Sequence, residues 1–156
     1  MSLRWVAAPT RAEALAAGGI REVAHHCVHC GSADHGQPFA ENVGGLSLSH
    51  AGGVTLVAIA DGPVGIDHEP IGVAAPADVV AHPSETGDPL RLWVRKEAIL
   101  KATGRGLRVE PTSFWIDAEG RPSALSGYEG PPLAVVDIDL DGFVAALAGR
   151  ATYLLP

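Results

Sequence analysis

The sequence predicts an α+β fold of two similar α+β halves, related by a pseudo-twofold, with antiparallel strands packed against helices and a site in the cleft between the halves. Three observations predict it. Residues 54–69, "VTLVAIADGPVGIDHE", and residues 135–149, "VVDIDLDGFVAALAG", each set two apolar strands around an Asp-Gly turn. Residues 88–104, "DPLRLWVRKEAILKATG", carry helix signals at both ends. At 156 residues the chain can bury one good core but not two large ones, so a single domain over 1–156 is expected, with approximate halves 1–75 and 85–156.

The elements follow in order. Leu3 to Ala8 reads as a short strand, and Arg11 to Ala24 as an alanine-rich helix weakened by Gly18 and Gly19. "LSLSH" from Leu46 alternates, and residues 54–60 form a buried strand. Asp61 and Gly62 then signal a hairpin, and the returning strand puts Asp67 and Glu69 on one face and His68 on the other. Pro70, Pro76, Pro83 and Pro89 punctuate a connector with at most a turn or two of helix around Ala77 to Ala81. In the long helix Asp88 caps, Pro89 suits the first turn and Gly104 the C-terminal cap. Leu90, Trp93, Val94 and Leu100 share one stripe, and Glu97 and Lys101 fall inside it, where a plain core helix would carry leucine. Residues 112–122, 132–140 and 143–149 read as further antiparallel strands.

Charge narrows the function. A net charge of -7 argues against a general nucleic-acid binder. No apolar run is long enough to cross a bilayer and the N-terminus is broken by charges, so a cytoplasmic protein with reduced thiols is expected, and a monomer. Lys and Arg are absent between Glu22 and Leu90, whereas Arg91, Arg95, Lys96, Lys101, Arg105 and Arg108 crowd one stretch. Such a run is ordinarily a solvated helix face; as the basic stretch of an acidic chain it is also a candidate docking surface. "HHCVHCGSADHG", His25 to Gly36, holds Cys27 and Cys30 at C-x-x-C spacing with His35 beyond. A fourth ligand is missing at the spacing of a zinc knuckle, so reduced thiols with solvated histidines are expected, with structural zinc or a redox dithiol as the alternatives.

Asp67, Glu69 and Glu97 form an all-oxygen set with Lys101 nearby, which suits Mg²⁺ and a phosphate-bearing substrate. The glycines of "SHAGG" and "TGRGL" could let backbone approach a phosphate. Neither is a Walker loop, and no G-x-G-x-x-G follows a strand.

These residues carry a resemblance. "GIDHE", Gly65 to Glu69, and "WVRKEAILKATGRGL", Trp93 to Leu107, match in order and spacing the paired motifs of the Sfp-like 4'-phosphopantetheinyl transferases, and "LSLSHAGG", Leu46 to Gly53, matches the segment before them. The resemblance implies that Asp67, Glu69 and Glu97 hold Mg²⁺ with the pyrophosphate of coenzyme A. It implies that Lys101 neutralises phosphate charge and that Lys96 does so or orients the site. Ser49 and His50 would contact the nucleotide phosphates, and Gly36, Gln37 and Pro38 would lie near the adenine. The implied reaction moves the phosphopantetheine arm to a serine of an acidic acyl or peptidyl carrier protein and releases adenosine 3',5'-bisphosphate. Glu97, a metal-bound water or a neutral Lys101 are the candidate bases. Gln37 stands where such proteins usually have lysine, with Arg4, Arg11 or Arg21 as replacements, and His68 replaces an aliphatic residue. A coenzyme A- or carrier-binding module without catalysis is the alternative reading.

Overall fold

The computed structural model describes residues 2–156, without the side chain of Leu107. Two three-stranded antiparallel sheets, each with a helix against it, make up most of the chain, so the α+β class holds. The first sheet has β5 (Val54–Ala60) in the middle, between β1 (Arg4–Ala8) and β4 (Gly45–Ala51). Helix α1 (Arg11–Ala17) packs on it, started by the Thr10 hydroxyl, which accepts from the Glu13 N–H. The helix stops at Gly18 and Gly19, well short of Ala24. The next residues instead form β2 (Ala24–His26), paired with β3 (Gln37–Phe39) in a small two-stranded ladder of its own.

In the second sheet β8 (Phe143–Arg150) lies between β6 (Val64–Pro70) and β7 (Leu133–Asp137). The expected hairpin across Asp61 and Gly62 is therefore absent: β5 and β6 belong to different sheets, and that turn carries the chain from one to the other. β5 instead forms its hairpin with β4, through Gly52 and Gly53, while the expected turn at Asp141 and Gly142 does join β7 to β8. β5 is buried along nearly its whole length, and β6 from Val64 to His68. Two consecutive buried strands leave no alternation from which a shared face could be read.

The single-turn α2 (Ala77–Val80) precedes α3 (Pro89–Thr103), which lies across the second sheet. All the expected end signals of α3 are realised. The Asp88 carboxylate accepts from the Leu90 N–H at 3.1 Å, Pro89 opens the helix, and Gly104 closes it with a left-handed φ of 72°. Residues 112–122 are not a strand: they make a 3-10 turn (Pro111–Ser113) and one isolated bridge between Ile116 and Pro122. The last turn, α4, spans Ala151–Leu154. No helix among the described residues is long and apolar enough to cross a membrane.

β4 and β6 are edge strands of different sheets, yet side chains join them. The Ser47 hydroxyl accepts from the Ile66 N–H at 3.0 Å, and the Ser49 hydroxyl accepts from the His68 N–H at 3.2 Å. Edge N–H groups that would otherwise be buried without a partner are thus satisfied by serine oxygens.

Candidate functional site

Asp67 sits on this seam, where β6 runs against α3. That approach depends on Gly65: a Cβ there would lie 1.8 Å from the Ala98 carbonyl oxygen and 2.7 Å from the Ala102 nitrogen. Glycine lets the strand touch the helix backbone, and alanines at 98 and 102 keep the facing surface low. The result brings Lys101 of α3 onto Asp67 of β6. Its ammonium donates to Asp67 Oδ1 at 2.8 Å, to the Ile66 carbonyl at 2.9 Å and to the Leu48 carbonyl at 3.2 Å. Three acceptors thus take up its three N–H bonds.

Negative charge exceeds what one lysine can balance. Asp67 is 7% exposed and its Oδ2 has no hydrogen-bond partner; the same is true of Glu97 Oε1. Burial pushes the Glu97 carboxyl up to about 6, with Asp67 and Glu69 adding to the rise and Lys101 opposing it. Glu69 is also raised, first by desolvation and then by Asp67. Three carboxylates that feel one another, two with an unpaired buried oxygen, fit a hard divalent cation by their donor chemistry. The set is open: among the described residues, the group whose three ligand atoms all lie within 4.8 Å of one another is elsewhere, at Cys27, Cys30 and His35. Mg²⁺ characteristically keeps waters among its ligands, which an open set allows.

His68, one residue on, is buried behind Asp67. Its Nε2 faces the carbonyls of Ala51 and Val54 at 3.2 and 3.1 Å and so carries the proton. Nδ1 then accepts from the Ser49 hydroxyl at 2.8 Å. Burial lowers its pKa, keeping the ring neutral. The imidazole ties the β4–β5 hairpin to β6, a role that a search for aliphatic alternation had no means of finding.

On the other side of Lys101 lies a cavity of about 410 Å³. Arg11, His25, His26, Lys101, Arg105 and Arg108 line it together with Gly36, Gln37, Pro38, Ser47 and Leu48, and no carboxylate does. In a chain of net charge -7, a cavity with four cationic side chains and no acid is an anion site by its electrostatics. Arg11 donates to His25 Nε2 at 3.2 Å, and His25 Nδ1 in turn donates to the Gly36 carbonyl at 3.2 Å, so the helix α1 arginine is tied to the wall of the cavity. Of the three arginines considered as replacements near Gln37, this is the one in the cavity. Arg4 donates to the Gly18 carbonyl instead, and Arg21 lines a separate depression. Gln37 approaches the helix cap, since a Cβ on Gly104 would meet its Oε1 at 2.6 Å.

Several expected residues lie elsewhere. Ser49 is turned to Asp67 and His68, and His50 bonds Thr55 Oγ1 at 2.7 Å; neither lines the cavity, which Ser47 and Leu48 of the same strand do. Lys96 is 0% exposed, and its Nζ donates to the carbonyls of Val80, Pro111 and Phe114 and to Glu85 Oε1. With its donors consumed, it cannot neutralise a phosphate where it stands; it anchors α3. Nor does the basic run form one landing surface. Arg91 and Arg95 pair with Asp137, Lys96 is inside, Lys101 is on the seam, and Arg105 and Arg108 face the cavity. Helical geometry spreads over several faces what the sequence shows as one cluster.

No family model matches the chain. It is similar to the 4'-phosphopantetheinyl transferase gsp of Aneurinibacillus migulanus, with 30% identity over 101 residues. The match covers 54% of this chain and 41% of that relative, so the chain matches less than half the relative's length. Such a partial likeness points to a transferase of this general kind.

Proposed function

We propose that the chain transfers the 4'-phosphopantetheine arm of coenzyme A to a serine of an acidic acyl or peptidyl apo-carrier protein in the cytoplasm, releasing adenosine 3',5'-bisphosphate. The observation that carries the reading is the position of Lys101, which both lines the acid-free cationic cavity and bonds Asp67 of the under-neutralised carboxylate set. A ligand with an anionic end in the cavity would present its next phosphates to the carboxylates across one lysine. Coenzyme A, with a 3'-phosphate and a diphosphate, has that charge distribution.

In this reading Asp67, Glu69 and Glu97 would hold Mg²⁺, which supplies charge neutralisation of the diphosphate when bound. Arg11, Arg105 and Arg108 bind the nucleotide phosphate, and Gly36, Gln37 and Pro38 border the adenine. Lys101, whose ammonium donates to Asp67, Ile66 and Leu48, places its charge between the cavity and the carboxylates. Glu97 takes the proton of the carrier serine through a carboxylate oxygen that the cation does not engage. The serine oxygen then bonds the phosphorus attached to the pantetheine arm, and that phosphorus separates from the bridging oxygen, which leaves with the adenosine bisphosphate. Lys96 positions rather than touches: it fixes the helix that presents Glu97 and Lys101. The two sheet-and-helix units would be the related halves, with the seam between them as the cleft.

Intact mass of a panel of apo-carrier proteins incubated with the chain, coenzyme A and Mg²⁺ tests the proposal. A gain of one phosphopantetheine, suppressed by EDTA, is expected. No gain on any carrier with coenzyme A still bound would leave only a binding module.

A further inference from the structure

The loop between β2 and β3 takes no part in that reaction, yet among the described residues it holds a group of three metal-binding side chains within mutual ligating reach. Cys27 directly follows β2, and the chain then turns through Cys30 and Gly31 and returns past His35 to β3. Sγ of Cys27, Sγ of Cys30 and a ring nitrogen of His35 all lie within 4.8 Å of one another, and Cys30 Sγ is 3.3 Å from His35 Nε2. Two thiolates on a tetrahedral zinc stand about 3.8 Å apart, given Zn–S bonds of about 2.3 Å, so little movement separates this arrangement from a bound one.

The backbone around the thiols is shaped for the same purpose. The Gly31 N–H donates to the Cys27 carbonyl at 2.8 Å, and the Cys27 N–H donates to the Ser32 carbonyl at 2.9 Å, closing a tight turn around the C-x-x-C pair. Gly31 takes a left-handed φ of 73°, which turns the chain back directly after Cys30. Hydrophobic packing does not account for the order of this turn: Val28 is 64% exposed, Cys30 and His35 are exposed, and the ladder below it has three residues in each strand. A ten-residue excursion that buries little beyond Cys27 is where a metal staple substitutes for apolar burial.

We propose that Cys27, Cys30 and His35 bind a borderline-soft divalent ion, Zn²⁺ in the reduced chain, with the fourth corner left to water. Binding displaces both thiol protons to solvent. Cys27, Val28 and Gly36 line the cationic cavity, so the ion sets the shape of one cavity wall without entering the transfer chemistry. The site uses none of the carboxylates and stands whether or not the transferase reading does.

The test is metal analysis of the full chain, reduced and passed through chelator-free gel filtration after loading with one equivalent of zinc, followed by cobalt substitution. One zinc per chain is expected, with an intense thiolate-to-cobalt charge-transfer absorption. Cys30→Ser, at an exposed position, should keep the far-ultraviolet circular dichroism and lose zinc affinity by at least about tenfold, since even outer-shell partners have effects of that size. Asp67→Asn should keep the zinc. Absence of the charge-transfer band in the reduced wild-type chain would overturn the proposal, as would zinc retained undiminished in both Cys30→Ser and His35→Ala.

Discussion

Glu97 is a residue whose charge the fold tolerates poorly. Its carboxyl lies at about 6 against an ordinary 4.5, with burial the main cause. The stability that the neutral form contributes is fully present below pH 4.5 and is lost as pH rises through 6. A displacement of that size corresponds to about 2 kcal/mol lost at neutral pH. Glu97→Gln, neutral at every pH, should therefore be more stable than wild type at pH 7 by up to about 2 kcal/mol, and the two should converge near pH 4. His68, held neutral by burial, works in the opposite sense: it loses stability as pH falls below 6.5. It is common to both proteins and cancels in the difference. Denaturant melts of the pair across pH, without divalent metal, are the measurement, and a variant less stable at pH 7 than wild type would contradict the account. The same variant should lose carrier modification. Lys96 gives the contrasting case. Its partner Glu85 has a side chain only 5% exposed, so Lys96→Met strands a buried carboxylate and three carbonyls. A loss of about 3–5 kcal/mol is expected, read as a lowered melting temperature, while any chain that still folds keeps its affinity for coenzyme A.

At the scale of elements, the close contact of β6 with α3 makes the site, and Gly65 permits it. Gly65→Ala puts a methyl group into the Ala98 carbonyl, where neither backbone can yield without moving Asp67 from Lys101. The expected cost is about 1–3 kcal/mol or more, accompanied by loss of transfer larger than the loss of fold. Melting temperature and turnover measured on the same preparation separate the two effects. The helix side of this contact was legible in the sequence. Asp88, Pro89 and Gly104 act through local backbone geometry, and Glu97 and Lys101 stand out because they interrupt an apolar stripe. The strand side was legible only in part: Asp67 and Glu69 could be singled out, but the partner of their strand could not. Asp-Gly is a turn signal whether the next strand pairs back or crosses to another sheet, and in a doubly buried strand such as β5 the side chains give no sign of which.

At the scale of the whole molecule, the two sheets share an apolar cluster, in which Leu56, Ala58 and Ala60 of β5 meet Val64 and Ile66 of β6 and Leu147 of β8, and the seam adds polar groups that composition does not reveal. Sequence reading assigned Ser49 to a phosphate and passed over Ser47, because alternation tells which side chains share a face but not that a hydroxyl there will complete a neighbouring strand's hydrogen bonds. Lys96 was misplaced for a related reason: a lysine next to a catalytic-type glutamate looks solvated until the loops at Val80, Glu85, Pro111 and Phe114 close over it. If the seam joins the sheets, Ser47→Ala leaves the Ile66 N–H buried without its acceptor and should cost about 1–3 kcal/mol. Ser49→Ala removes more, because the hydroxyl accepts from the His68 N–H and donates to the His68 ring. The two serines act on one strand pairing, so their effects should be non-additive in a double-mutant cycle, with coupling of about 0.5 kcal/mol or more. Hydrogen exchange would show where the loss falls. A seam whose hydroxyls couple the sheets predicts faster exchange of amides in both β4 and β6 in either variant, whereas acceleration confined to the mutated strand would mean that the shared apolar cluster, and not the hydroxyls, joins the sheets.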